Sequence, residues 1–136
     1  MILLTDFHGV LTDGKLNIAH DGTMFESCCV RDVRALREFV ANGWEVYIVT
    51  QSSSKIIETF AKKVGVEVIV SRNKTAAKPD RPFVMVGDDV ADLPLFYGAE
   101  RSFCPYDADS TVKTIAIVLR SKGGEGVIAE LATLLL

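Results

Sequence analysis

Cysteine is scarce in this chain, and long hydrophobic runs are absent. The 136 residues include three cysteines, an odd number, and Cys28 and Cys29 are adjacent. This pattern fits neither a framework of disulfides nor a zinc site built on a CxxC motif, so we expect buried thiols. Apolar stretches such as 115–119 are far shorter than the roughly 18 residues of a membrane-spanning helix. The N-terminus also lacks the basic and apolar regions of a secretory signal. We therefore expect a cytoplasmic protein that does not span a membrane.

An excess of positive charge is also missing. Lysine and arginine contribute 15 residues and aspartate and glutamate 18, for a net charge of −3. The chain thus lacks the basic surface of nucleic-acid binders, and no nucleic-acid partner is expected. Hydrophobic residues make up 49% of the sequence and charged residues 24%, a balance that is typical of globular chains and excludes disorder. The length predicts a single domain over residues 1–136.

Short apolar runs alternate with longer segments that carry apolar residues at helical spacing. The runs predict buried strands at 2–5, 45–50, 66–70, 83–86, 101–104 and 114–119. The helical segments include one that ends at Gly43, one that ends at Gly65 and a last one that starts at Gly126. This alternation predicts an α/β fold with a parallel, doubly wound, Rossmann-like sheet. Residues 14–30 interrupt it around the turn dipeptide Asp21-Gly22 and predict a β-hairpin outside the sheet.

Polar residues stand where the predicted strands end. These strand-end residues are Asp6, Thr50, Lys74, Asp88, Asp89 and Asp92. Because the carboxyl ends of parallel strands meet at the edge of the sheet where ligands bind, we expect these side chains to share one site. Carboxylates gathered there would repel one another unless a cation lay among them. Mg²⁺ is the expected cofactor, since it takes carboxylate, water and phosphate oxygens.

A site of this kind suits a phosphate ester. The hydroxyl of Thr50, a helix N-terminus expected over 51–54 and including Gln51, and the ammonium of Lys74 can bind phosphoryl oxygens. One carboxylate can then attack phosphorus, which gives an aspartyl-phosphate intermediate. We therefore predict a Mg²⁺-dependent phosphomonoester hydrolase whose partner is a small phosphorylated metabolite.

Three longer motifs extend this pattern: DFHGVLTDG at 6–14, VGDDVADLP at 86–94 and SKGGEGVIAEL at 121–131. Together they resemble the haloacid dehalogenase superfamily. Within it, the sequence is similar to the capless subgroup that contains 3-deoxy-D-manno-octulosonate 8-phosphate phosphatase, and the likeness covers almost the whole chain. The resemblance implies a fold without a cap domain and makes a sugar phosphate a candidate substrate. It also implies a homotetramer in which the hairpins assemble and a glycine-containing C-terminal tail, here 123–126, can close the site of a neighbouring subunit.

The resemblance further implies roles for individual residues. Asp6 would be the nucleophile and a metal ligand. Asp88 and the backbone carbonyl of His8 would be the other protein ligands of Mg²⁺, and Asp89 or Asp92 would support the metal shell. Phosphoryl binding would fall to the residues already identified after the second and third strands.

Position 8 departs from the superfamily pattern, in which the second residue after the nucleophile is an aspartate that serves as general acid and base. His8 has three open interpretations: a replacement acid and base, a structural residue that contributes only its carbonyl, or a mark of lost activity. Glu125 and Ala129 stand where related tails often carry arginine, and Val33 where many have glycine, so recognition of an anionic sugar acid should be weaker. The alternative to an active phosphatase is a catalytically impaired oligomeric or binding module of the same fold.

Overall fold

A six-stranded parallel sheet forms the centre of the computed structural model, which describes residues 1–52 and 54–136. The strands of the chain, two hairpin strands included, are β1 (Ile2–Thr5), β2 (Asn17–Ile18), β3 (Met24–Phe25), β4 (Glu45–Thr50), β5 (Glu67–Val70), β6 (Phe83–Val86), β7 (Arg101–Cys104) and β8 (Ile117–Val118). The order across the sheet is β5-β4-β1-β6-β7-β8. Every residue of β1 and β6 is buried, as expected for strands covered on both faces. The predicted doubly wound α/β fold is confirmed.

Helices cover the two faces of the sheet unequally. They are α1 (Val30–Ala41), α2 (Lys55–Val64), α3 (Leu93–Gly98), α4 (Ser110–Lys113) and α5 (Val127–Leu135). Leu3 of β1 belongs to a buried cluster formed with α1, α2 and α5, whereas Leu4 belongs to a second cluster with α3 and α4. The two clusters lie on opposite faces because successive strand residues point in opposite directions. The second layer is thinner, since only a 3₁₀ turn, Lys74–Ala77, precedes β6.

The antiparallel strands β2 and β3 form the predicted hairpin outside the main sheet. The Asp21 carboxylate accepts a hydrogen bond from the Thr23 amide at 2.9 Å and shapes the turn. Three apolar hairpin residues, Ile18, Met24 and Phe25, are each more than half exposed. The described part of the chain therefore gives the hairpin little core of its own to pack against.

The structure corrects the predicted strand at 114–119, of which only β8 is extended. Asp109 caps α4 through its carboxylate, and the helical turn continues past the end of that helix. There the amides of Ile115 and Ala116 donate to the carbonyl of Val112. The β-branched composition of this segment favours a strand, but the cap and these hydrogen bonds hold its first half in a turn. β5 begins one residue later than predicted.

The expectation of buried thiols holds for only one cysteine. Cys104 of β7 is buried, whereas Cys28 and Cys29 are partly exposed because they lie in the connection between the hairpin and α1. All three are free thiols. Among the helices of the described ranges, none has the length and apolar character needed to cross a membrane.

The C-terminal segment packs against its own chain. The buried Asp32 carboxylate of α1 accepts a hydrogen bond from the Ala129 amide in the first turn of α5 at 3.0 Å. Gly124 donates its amide to a carbonyl of the loop after β1. A side chain at Gly123 would collide with the carbonyl of Gly9 in the same loop. The glycine run expected in the tail therefore lies against the loop that follows the first strand-end aspartate.

Candidate active site

The carboxyl ends of β1, β4 and β6 lie side by side at one edge of the sheet. Asp6 directly follows β1, Thr50 ends β4, and Asp88 lies two residues beyond β6. This edge opens into a cavity of about 310 Å³. Its lining residues are Asp6, His8, Gly9, Gly14, Thr50, Gln51, Ser52, Lys74, Asp88, Asp89 and Ala91. All the predicted site residues therefore line one cavity except Asp92, which is fully buried beside it.

Three carboxylates and one ammonium group meet next to this cavity. One oxygen each from Asp6, Asp88 and Asp92 lies within 4.8 Å of the other two. The Lys74 ammonium is 3.3 Å from Asp6 Oδ1 and 2.6 Å from Asp92 Oδ1. Lys74 is only 4% exposed, so little solvent screens these charges. One lysine cannot neutralise three carboxylates, and the cluster is short of positive charge.

Asp92 holds the cluster together. Its Oδ1 accepts a hydrogen bond from Lys74, and its Oδ2 accepts hydrogen bonds from the amides of Asp88 and Asp89 at 3.1 and 3.3 Å. Both oxygens therefore already have donors, and Asp92 fixes its neighbours in place. Asp89 is exposed, and its carboxylate accepts a hydrogen bond from the Val90 amide at 2.7 Å. Of the two supporting carboxylates expected from the sequence, the buried one lies in the cluster.

Burial and crowding change the acidity of these groups. Burial raises the pKa of Asp88 to about 8, and the neighbouring Asp6 adds to the effect. Burial likewise raises the pKa of Asp92 to about 6, with Lys74 opposing the charge of Asp6. Burial alone would lower the pKa of Lys74, but Asp6 and Asp92 outweigh it and raise this pKa. The metal-free Asp88 side chain therefore retains a proton near neutral pH, which a bound divalent cation would displace.

The surroundings of Asp88 fit a hard divalent cation. Its Oδ1 is buried and has no hydrogen-bond partner among the described residues, although such an oxygen normally needs one. Gly9 passes so close that a side chain there would collide with Asp88, and its φ of +82° further favours glycine. An oxygen without a donor, next to the Asp6 carboxylate, is the type of ligand that Mg²⁺ prefers.

Thr50 and Gln51 connect the cavity to the neighbouring loops. The buried Thr50 hydroxyl donates to the Ser52 carbonyl at 3.1 Å and shapes the loop after β4. Gln51 is exposed, and its side-chain amide donates to the Arg72 carbonyl at 3.2 Å. Both residues line the predicted site, and their binding of phosphoryl oxygens stays a prediction.

The helix after β4 begins later than expected. α2 starts at Lys55, with Ser54 as the preceding cap residue, whereas the sequence predicts a helix N-terminus over 51–54. Ser53 lies outside the described residues. The cavity lining on this side consists of loop residues rather than of the first helical turn.

His8 reaches from the cavity to the hairpin. Its Nε2 atom is 2.8 Å from Oε1 of Glu26, the residue directly after β3. The Phe7 ring meets the imidazole edge to face, with ring centroids 5.2 Å apart. The His8 side chain is 50% exposed, whereas the Glu26 side chain is 4% exposed. The hairpin thus places a buried carboxylate against the histidine that follows Asp6.

Known proteins are similar to this chain in both sequence and fold. No protein-family model matches the chain. It is 29% identical over 147 residues to the 3-deoxy-D-manno-octulosonate 8-phosphate phosphatase of Escherichia coli K12, an alignment that covers 99% of this chain and 78% of the relative. The solved cobalt-bound deoxy-D-mannose-octulosonate 8-phosphate phosphatase of Haemophilus influenzae has 27% identity and a TM-score of 0.89, and the match covers 98% of this chain and 85% of that one. The chain is thus similar in sequence and in fold to phosphatases and hydrolases of the haloacid dehalogenase superfamily.

The resemblance to the haloacid dehalogenase superfamily that the sequence motifs carry is thereby confirmed, and the chain is a phosphatase. The fold also matches the 3-deoxy-D-manno-octulosonate 8-phosphate phosphatase of Moraxella catarrhalis, solved with a magnesium ion, a phosphate ion and a KDO molecule. That structure has 22% identity and a TM-score of 0.90, and the match covers 98% of this chain and 83% of the other.

Gly9 and Glu26 both shape this site, and neither belongs to the set of residues predicted from the sequence. Gly9 lies within the first motif, and a glycine so soon after a strand-end aspartate is a recognisable signal for close backbone approach. Glu26 offers no comparable signal. Its contact with His8 forms only because the hairpin folds back toward the loop after β1, and no local pattern encodes that approach.

The raised pKa of Asp88 predicts that the stability of the metal-free protein depends on pH. Asp88 in the folded state holds a proton that the unfolded chain releases above its ordinary pKa of 3.8. The free energy of unfolding should therefore fall as pH rises toward about 8. We expect Asp88→Asn to raise the melting temperature in EDTA by a few degrees at about pH 8.5, and by less at about pH 6.

Differential scanning calorimetry at both pH values measures this effect. Asp89→Asn is the matched control, because it removes an exposed carboxylate from the same loop and should change the melting temperature little. Equal stability of Asp88→Asn and the parent at both pH values would contradict the predicted electrostatic strain.

Proposed function

We propose that this phosphatase hydrolyses a small phosphomonoester, such as a sugar phosphate, through an aspartyl-phosphate intermediate on Asp6. The observation that carries the proposal is the cluster of Asp6, Asp88 and Asp92 around the buried Lys74 at the carboxyl edge of the sheet. An anionic ester can approach this cluster only when additional positive charge is present. The sugar-phosphate substrates named for its relatives support the substrate class.

Asp6, Asp88 and the backbone carbonyl of His8 would hold the divalent cation, which we propose to be Mg²⁺. The buried Asp88 oxygen without a hydrogen-bond donor supports this assignment, as do the cobalt and magnesium ions bound to relatives. When bound, Mg²⁺ neutralises the carboxylates and draws electron density from the phosphoryl group. Both oxygens of Asp92 have donors, so Asp92 would fix Lys74 and the loop after β6 rather than bind the cation itself. The exposed Asp89 accepts a hydrogen bond within that loop.

Two neighbouring donors orient the Asp6 carboxylate for its attack on phosphorus. Its Oδ1 accepts hydrogen bonds from the Phe7 amide at 2.8 Å and from Lys74 at 3.3 Å, so the side chain is held in one orientation. An Asp6 oxygen forms a bond to phosphorus while the ester P–O bond breaks and its electron pair leaves with the alcohol oxygen. Lys74 stabilises the charge on the phosphoryl oxygens, with Thr50 and Gln51 beside it.

His8 serves as the general acid of the first step and as the general base of the second step. The imidazole gives a proton to the departing alcohol oxygen, and in the second step it accepts a proton from the water that attacks phosphorus. That attack breaks the bond between phosphorus and Asp6 and releases inorganic phosphate. His8 lines the cavity two residues after Asp6, which supports this role over a purely structural one.

Asp6→Asn should reduce phosphomonoester turnover by more than about 10³-fold, because an amide cannot serve as the nucleophile. EDTA should have the same effect on the parent, and added Mg²⁺ should restore activity. Turnover of a panel of sugar and nucleotide phosphates and of an aryl phosphate measures both. Asp13→Asn is the matched control, since Asp13 is exposed and only caps a turn next to the site. Near-parental turnover in Asp6→Asn would contradict the nucleophile, and a parent inactive on every ester would favour the impaired module.

The charge around the cavity also predicts a substrate preference. Lys74 is the one lysine or arginine among the described lining residues, and Asp6 and Asp92 already pair with it. A carboxylate on the substrate would face the acidic residues of the rim, such as Asp89. We expect neutral sugar phosphates to have a kcat/KM about tenfold or more above that of 3-deoxy-D-manno-octulosonate 8-phosphate, a difference of about 1.4 kcal/mol. A higher kcat/KM for the sugar acid phosphate would contradict this prediction.

The hairpin supports the proposal of a homo-oligomer, which we expect to be a tetramer. Met24 and Phe25 form part of an apolar groove of about 440 Å³ together with Ile56 and Phe60 of α2. A two-stranded hairpin is marginally stable alone, and apolar side chains exposed next to a groove are typical of an interface. A second copy of the chain, with the same apolar hairpin, is the proposed occupant.

Light scattering during size-exclusion chromatography should give a mass above that of one 14.9 kDa subunit. Phe25→Asp should shift the protein toward the monomer, because it places a charge in the apolar contact. Tyr97→Asp on α3 is the matched control, since Tyr97 is equally aromatic and 73% exposed but far from the hairpin in the chain. A monomeric parent at micromolar concentration would overturn the assembly.

A further inference from the structure

The two side chains of the His8–Glu26 contact differ strongly in their exposure to solvent. His8 is half exposed at the cavity rim, whereas the Glu26 carboxylate is almost entirely buried and lies 2.8 Å from the imidazole. A buried carboxylate requires a hydrogen-bond donor, and the imidazole provides it. This geometry differs from an exposed surface ion pair, in which both side chains move freely and little energy is gained.

The contact determines which nitrogen of His8 carries a proton toward the hairpin. A carboxylate only accepts hydrogen bonds, so His8 Nε2 is the protonated donor to Glu26. Nδ1 is then the ring atom left for exchange with a substrate. The Phe7 ring packs against the imidazole from another direction and narrows the orientations that remain open to it.

We propose that Glu26 is a positioning residue that holds the His8 imidazole with Nδ1 available to the phosphoryl site. This inference rests on the proposed phosphatase function. At Nδ1 the proton passes to the alcohol oxygen as its bond to phosphorus breaks, and the proton of the attacking water returns to the same atom in the second step. Glu26 itself touches neither substrate nor phosphorus.

The kinetic test compares an alkyl phosphate with an aryl phosphate. The alcohol of the alkyl ester leaves poorly unless it receives a proton, whereas the phenolate of the aryl ester leaves well without one. Glu26→Ala should lower kcat for the alkyl ester by about 10- to 100-fold, a part of the usual contribution of acid–base catalysis, with little change in KM. Its effect on the aryl ester should be smaller. Glu26→Gln should retain most of the parental kcat, because its amide oxygen accepts the same hydrogen bond.

Two further variants separate positioning from a general effect on the fold. In a His8→Ala background, Glu26→Ala should cause no additional loss, because the two residues act through one contact. Glu38→Gln removes an exposed carboxylate from α1 and should leave both esters unaffected. Equal kcat values for the parent and Glu26→Ala on the alkyl ester would overturn the proposal, as would additive losses in the double variant.

Imidazole ¹H–¹⁵N spectra decide the contact without any turnover. The chain has only two histidines, so His8→Ala assigns the signals. The parent and Glu26→Gln should show a proton on His8 Nε2, and Mg²⁺ with inorganic phosphate should shift the Nδ1 signal. Glu26→Ala should lose this pattern. If no ester is hydrolysed, the proposed function fails, and an unchanged His8 spectrum in Glu26→Ala would then overturn the positioning role separately.

Discussion

Repulsion among the carboxylates of Asp6, Asp88 and Asp92 is the constraint to which the surrounding structure is fitted. Parallel strands bring the first two together at one edge, and burial makes their charges expensive. Lys74 balances part of this charge, and Asp92 ties the lysine to the loop after β6. The remaining negative charge destabilises the metal-free fold and, under the proposed function, favours the binding of a divalent cation. The same carboxylates would therefore lower the stability of the metal-free fold and favour cation binding at this edge.

The sequence predicts most of this arrangement because parallel-sheet topology turns a local pattern into a spatial one. Each apolar run marks a strand, and each polar residue after a run marks the same edge. Asp6, Thr50 and Asp88 could therefore be placed together without any knowledge of loops. The first four strands of the main sheet and the hairpin could be predicted from local patterns as well, since an apolar run marks a strand and a turn dipeptide marks a hairpin.

Features that depend on contacts between distant segments could not be predicted in this way. Sequence position alone does not distinguish Asp89 from Asp92, because only the 3₁₀ turn Val90–Asp92 directs one carboxylate inward and leaves the other exposed. The segment 114–119 has the composition of a strand, yet its first half continues the capped helical turn of α4. Glu26 lies 18 residues beyond His8 in the sequence, and their contact requires the hairpin to fold back.

The hairpin joins assembly to proton transfer. It carries the apolar residues proposed to contact a second copy and, directly after β3, the carboxylate that contacts His8. A two-stranded hairpin has little stability of its own, so packing against another subunit would also restrict the position of Glu26. Under the two proposals, assembly and imidazole orientation are then thermodynamically linked, each favouring the other. The phenolate of an aryl ester leaves without a proton, so this link should affect alkyl esters most. Dilution of the protein below the concentration at which it assembles should therefore slow the hydrolysis of alkyl esters selectively.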